Sequence, residues 1–513
     1  MRAAGRPEVE TSGGRVRGVE VGGVRVFRGL PYAASTAGAG RFRPPAPVTP
    51  WTGTREAAHF GPSAPQVPAP PDPLFDWYGA IEPTSEDCLS LNVFTPGTDD
   101  ARRPVLVWIH GGAWAGGAGS APGWDGMRLA RDGGVVVVTV NHRLTAFGYL
   151  RLDQDDERFA DAGAAGLLDL VAALRWVREH AEAFGGDPDC VTIVGQSGGA
   201  AKVSALMAMP AAHGLFHRAV AQSCSGSLRV AEPNEGQRMA DGLARQLGLS
   251  SANGVALQAV PVERIVGALA GTTRSFRPVI DGRNLDQHPF DPSAPAISSD
   301  VPLLIGTTAN ETTLFLAADM RNFSLDLGEV RRRLERFLGV GPGDTDRILE
   351  AYRADRPTAS PSDLLVAVTT DYHYTRNTLT EAVLQADSAS APTYAYRFDW
   401  RTPVRGGVLG TPHTAEVPFV FGTTEAAAGL LGRGPDLEPM TRTVMATWVA
   451  FARTGDPNNP HLPPWPRYDA TGRRTMLLGL ESSVSADPGG VARSALDDVP
   501  PFDYSRPVSY PLP

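Results

Sequence analysis

Ser197 stands in Gly195-Gln196-Ser197-Gly198-Gly199, directly behind the apolar run Val191-Thr192-Ile193-Val194. A serine hydroxyl is a weak nucleophile until a neighbouring base takes its proton. The G-x-S-x-G spacing supplies the geometry for that chemistry. Small residues two before and two after the serine let a strand reverse sharply into a helix, lifting Oγ above a sheet at a helix N-terminus. In a chain with 56 glycines the pentad alone is a weak signal. The buried strand before it and the small-residue helix start after it give it weight. Acyl transfer also needs donors aimed at the oxyanion. Trp108-Ile109-His110-Gly111-Gly112-Ala113-Trp114 follows another apolar strand and exposes N–H groups beside small side chains. The expected donors are the N–H groups of Gly112, Ala113 and Gly198.

A base and an acid must complete the set, with the acid between serine and histidine in chain order. His213 and His217 lie too near Ser197 for an acid to intervene, and His288 also follows it. His373, in a helical stretch, reads as a packing residue, and His461 sits in a proline-rich surface segment. His413 follows a strand and the loop Arg405-Gly406-Gly407-Val408-Leu409-Gly410, and it leads the candidates. For the acid, Glu311 falls just past the apolar run 302–307. Its rival Asp281 precedes a glycine and reads first as a turn residue.

These residues need a frame. Runs 105–109, 135–140 and 191–195 are buried apolar strands, 218–223 and 302–307 add further strands, and 393–400 reads as one more. Helical periodicity covers 163–184, 199–209 and 440–454. Such alternation predicts a mostly parallel sheet covered by helices on both faces. Residues 14–30 alternate as a hairpin turning at Gly22-Gly23. Residues 42–75 read as an irregular arm anchored by Trp51, Phe60 and Phe75. Trp114, Phe147, Phe315 and Phe421 read first as core. No repeat or linker divides the chain, so one α/β domain over 1–513 is expected.

The 513 residues carry a net charge of -9, with 42% hydrophobic and 20% charged residues. That balance suits a globular core and gives no reason to expect nucleic acid or an anionic membrane as partner. Lys202 is the one lysine among arginines, which reads as coding bias rather than chemistry. Three cysteines, Cys88, Cys190 and Cys224, suit a reducing compartment. No apolar leader or spanning stretch is visible, so a cytoplasmic protein is expected.

Several blocks, taken together, resemble the type-B carboxylesterase/lipase family, which includes cholinesterases and bacterial para-nitrobenzyl esterases. They are 26–35, 41–51, 86–96, 141–150, 184–200, 301–311, 413–422 and 451–458, in order along nearly the whole chain. The resemblance implies an α/β-hydrolase fold with long helical insertions, serine esterase activity on a small-molecule ester, and no cofactor or metal. It implies a triad of Ser197, Glu311 and His413, and it makes Ser223 a partner of the acid. Two departures bear on specificity. Ala113 replaces the third glycine of the family's frequent HGGG loop, and its methyl argues against bulky tertiary-alcohol esters. Gln196 replaces the glutamate of cholinesterases, which argues against a choline-ester specialist. Cys88 stands where secreted members form a disulfide, but with no cysteine upstream it reads as a buried thiol. A binding module that has lost its triad, or an acyltransferase or cyclising enzyme using the same triad, are the alternatives.

Overall fold

The computed structural model describes residues 6–79, 83–152, 156–226, 228–271 and 276–502. In chain order the strands are β1 (Glu8–Thr11), β2 (Gly14–Arg17), β3 (Val19–Val21), β4 (Val24–Pro31), β5 (Thr54–Glu56), β6 (Ser90–Thr95) and β7 (Arg103–Ile109). There follow β8 (Val136–Val140), β9 (Gly186–Gln196), β10 (Arg218–Gln222), β11 (Leu303–Thr308), β12 (Thr393–Phe398), β13 (Arg474–Leu478) and β14 (Ser483–Ala486). Eleven of these form one sheet in the order β14-β13-β12-β11-β10-β9-β7-β8-β6-β4-β3. Its centre, from β8 through β13, is parallel, and antiparallel pairs finish both edges. The fold is therefore α/β, with a large mixed, mostly parallel sheet.

Period-two alternation sorts each central strand between two cores. Val105, Val107 and Ile109 of β7 enter one core while Leu106 and Trp108 enter the other. Val136 and Val138 of β8 oppose Val137 in the same way. Both faces are covered, which is why these strands read as unbroken apolar runs. Helices α1 (Ala165–His180) and α2 (Gly198–Ala208) cover the first face through Leu167, Leu170, Leu174, Val203 and Leu206. A long helix, α7 (Leu437–Thr454), covers the second through Met440, Val444, Trp448 and Phe451. Each such buried side chain contributes about 1.5–3 kcal/mol. Between β11 and β12 lie α3 (Leu327–Leu338), α4 (Pro342–Asp355), α5 (Pro361–Thr370) and α6 (Arg376–Ser388). The first three of these close a satellite core with Leu334, Leu338, Tyr352, Leu365 and Leu496.

The hairpin is shorter than its alternation predicts. β3 and β4 pair around Gly22 and Gly23, whose φ values are 57° and 79°. Gly14–Arg17 leaves to join β1 and β5 in a separate three-stranded sheet. The chain bends at Gly18, where a Cβ would press into the Val26 carbonyl and the Phe27 ring. The arm over 42–75 is anchored by Trp51 against one core and by Phe60 and Phe75 against the other, but it is not wholly irregular, since β5 pairs with β2 within it.

Candidate active site

Each predicted site residue sits at the carboxyl end of a central strand or in the loop that leaves it, where open α/β sheets build their sites. Ser197 follows β9 and precedes α2 with φ 57° and ψ −124°, a conformation costly for any residue with a Cβ. The flanking glycines make that turn possible. A Cβ on Gly195 would run into the backbone of Gly199, and one on Gly199 into the carbonyl oxygen of Ile109. The turn is pinned by the Ser197 N–H, which donates to the Gln222 carbonyl of β10 at 2.8 Å.

The loop after β7 packs directly against this turn. A Cβ on Gly198 would collide with the carbonyl and Cα of Ala113. Gly112 has φ 87° and Ala113 has φ 52°, so two successive residues occupy the left-handed region. For Ala113 that conformation is strained. The three expected donors are thus neighbours across one seam. The Tyr78 hydroxyl lies at Gly111, where a Cβ would strike it. Burial pushes that phenol well above its ordinary range.

His413 and Glu311 come together from segments 102 residues apart. His413 Nδ1 donates to Glu311 Oε2 at 2.5 Å, and both side chains are buried. Glu311 Oε1 accepts from the Thr308 N–H at 2.8 Å. The histidine loop is tied to the acid's own segment. Asn310 N–H donates to the Thr411 carbonyl at 3.0 Å, and the Thr411 N–H donates back to Asn310 Oδ1 at 3.0 Å. Gly410 is required there, because a Cβ would meet the Asn310 side chain. With its proton on Nδ1, His413 accepts at Nε2 from Gln196 Nε2 at 3.1 Å. No hydrogen bond joins the Ser197 hydroxyl to His413 among the described residues. Such contacts are often long in a free active site. The rings of Tyr374 and Phe315 flank the imidazole with centroids at 4.9 and 5.4 Å.

Ser223 ends β10 with φ 53°, its N–H donating to the Gly306 carbonyl at 2.7 Å. Its hydroxyl is buried and makes no hydrogen bond among the described residues, so none links it to Glu311. Asp281 is a turn residue: its carboxylate accepts from the N–H groups of Arg283, Asn284 and Leu285. His373 packs in a π-turn of the insertion, pulled down to about 3 by burial and the nearby His413. His461 is exposed, as its segment suggested. Trp114, Phe147 and Phe421 are buried, while Phe315 stays half-buried beside His413. None of the three cysteines forms a disulfide, and burial pushes the Cys88 thiol up.

Three residues here carried no motif in the sequence. Tyr78 lies in an irregular segment. Glu416, three residues after His413, is buried, with Oε1 accepting from Gln222 Nε2 at 3.0 Å and Oε2 without a hydrogen bond among the described residues. Burial and the charge of Glu311 push its carboxyl up to about 8. Lys202, one turn into α2, donates to the carbonyls of Ala113 and Gly198. Its helical position was legible in the sequence, but its direction was not. Among the described residues no cluster of His, Cys, Asp and Glu could hold a metal, and no helix is long and apolar enough to cross a membrane.

Comparisons with known proteins point one way. The model of the carboxylesterase family matches residues 5–491. The para-nitrobenzyl esterase of Bacillus subtilis is 35% identical over 499 residues, covering 95% of this chain and 98% of that protein. The phenmedipham hydrolase of Pseudarthrobacter oxydans is 35% identical over 497 residues, covering 94% and 97%. A crystal structure of the Geobacillus stearothermophilus carboxylesterase superposes with a TM-score of 0.84 at 39% identity, covering 96% of this chain and all of that one.

Proposed function

The chain belongs to the carboxylesterase family and is a carboxylic-ester hydrolase of the α/β-hydrolase fold; from that premise we propose that Ser197, His413 and Glu311 perform the hydrolysis through an acyl-enzyme. Ser197 Oγ attacks the ester carbonyl carbon while His413 Nε2 takes its proton. Glu311 fixes the tautomer of the ring and stabilises the imidazolium that forms. The carbonyl π pair moves onto oxygen, which the N–H groups of Gly112, Ala113 and Gly198 receive. The tetrahedral adduct collapses, and His413 returns the proton to the departing alcohol. Water then repeats the sequence on the acyl-serine, releasing acid. The reading takes the chain as one domain over 1–513, working in the cytoplasm on small-molecule esters.

The observation that carries this is the 2.5 Å His413–Glu311 pair beside the strained turn of Ser197. Strain at a non-glycine residue persists where surrounding structure enforces it, and here the crowding of Gly195, Gly198 and Gly199 does so. The Ala113 methyl on the hole favours esters of unbranched over tertiary alcohols. The experiment is Ser197→Ala, which lowers kcat by on the order of 10⁶ with the fold intact. Activity above a few per cent in a clean preparation rejects the assignment. Nitrophenyl esters of rising acyl length, offered with a competing alcohol, separate hydrolysis from transfer to that alcohol.

A further inference from the structure

We propose that Lys202 is a positioning residue for ester hydrolysis, its ammonium clamping the carbonyls of Ala113 and Gly198 so that the N–H groups of those residues point at the developing oxyanion. This rests on the donor assignment given above. Lys202 is the sole lysine of the chain, and it is fully buried. A buried ammonium is costly unless its three donors are used. Here Nζ donates to the Ala113 carbonyl at 2.7 Å and to the Gly198 carbonyl at 3.3 Å, and it lies 4.9 Å from the centre of the Trp114 ring. A cation over an aromatic face satisfies the remaining side. All three contacts lie on the hole loop or the first turn of α2.

The seam it spans is the one that needs holding. Ala113 is held at φ 52°, where an alanine tends to relax out of the left-handed region, swinging its N–H away. A hydrogen bond to its carbonyl opposes that motion. The departure at Ala113 and the lone lysine are therefore two halves of one arrangement. A compact ammonium suits a gap bounded by two carbonyls better than the planar fork of arginine. Its charge also lies in a dry region beside the place where negative charge appears. Two titratable side chains feel that charge, His110 at the end of β7 and His142 just past β8. Burial first, then the lysine, pulls His110 down to about 3, and burial holds His142 well below its ordinary value, so both are neutral. Burial alone brings the ammonium itself down to about 7.

A single lysine makes the test direct, since ¹³C-lysine labelling gives one side-chain signal. A trifluoromethyl ketone adds Ser197 Oγ to its carbonyl carbon, the proton passing to His413 and the π pair to an oxyanion in the hole. The titration midpoint of the Lys202 signal should then rise by about one pH unit or more, as a nearby anion favours the ammonium. Lys202→Met should lower kcat about 10- to 100-fold with KM within about threefold, and weaken the ketone by a similar factor. A folded Lys202→Met with unchanged kcat, or a midpoint that stays put in the adduct, overturns the proposal. Should Lys202→Met fail to fold, the titration of the unaltered enzyme decides. Ser197→Ala separates the two readings. If it remains active, the serine assignment fails. If it is dead while Lys202→Met is fully active, only the lysine proposal fails.

Discussion

At the ends of β7 and β9, backbone crowds backbone. Gly198 backs onto Ala113, Gly199 onto Ile109, and Ser197 and Ala113 both hold positive φ. Past the ends of β11 and β12 lie Glu311 and Glu416, two fully buried carboxyl groups whose roles turn on their hydrogen-bond partners. Glu311 receives the Thr308 N–H and the His413 imidazole, so both of its oxygens are occupied. Glu416 accepts from Gln222, its second oxygen makes no hydrogen bond among the described residues, and burial pushes it up to about 8. In the first pair of segments steric exclusion between backbones is the main constraint. In the second, the state of each carboxyl depends on which distant donors reach it. The same residue type pairs with a histidine in one place and in the other is pushed up to about 8 by burial.

That contrast can be broken from either side. The largest effect is expected at Glu311. Glu311→Gln keeps the shape but offers an amide where the ring N–H needs an acceptor, and kcat should fall about 10⁴-fold. Steady-state kinetics beside a melting curve checks it, and a loss below tenfold would mean another group orients His413. The steric side is broken by Gly199→Ala, which sets a methyl on the Ile109 carbonyl. A stability loss of about 3 kcal/mol or more is expected from overpacking a rigid backbone contact. A urea titration that stays within about 1 kcal/mol of the original would show that the seam can open.

The smallest and most particular effect concerns Glu416. Its folded value, about 8, lies above the ordinary 4.5, so the folded state binds more protons between those limits. The stability it provides is complete below about 4.5 and is lost as pH rises through about 8. The slope in between should reach at most about 1.4 kcal/mol per pH unit. Glu416→Gln mimics the protonated form, and its stability curve should be flatter over that range. Equal slopes for the two proteins would show that Glu416 is ionised in the folded state.

Much of this was legible in one dimension because it is governed by short-range rules. Apolar runs gave the centres of β7, β8, β9 and β11, since a strand covered on both faces has few polar positions to spare. The turn at Ser197 was legible because only glycine fits at 195, 198 and 199. The hairpin was misjudged by one strand because alternation does not say which sheet a limb joins. At Gly18 it is contact with Val26 and Phe27 that decides. Lys202 looked like coding bias because nothing within its own helix reveals that the Ala113 carbonyl, 89 positions earlier, accepts its hydrogen bond.

The amino-acid sequence by itself determined the strand-turn-helix that strains Ser197, the glycine loop with its alanine, and the presence of a glutamate and a histidine past later strands. Steric permission and hydrophobic period are properties of neighbours along the chain. Only the tertiary structure decided that Nδ1 of His413 faces Glu311 rather than Glu416, that Gln196 occupies Nε2 in the free enzyme, and that a lone ammonium bridges the seam. Charge and hydrogen bonding depend on which groups are brought within about 3 Å and what water is removed, and folding alone sets both.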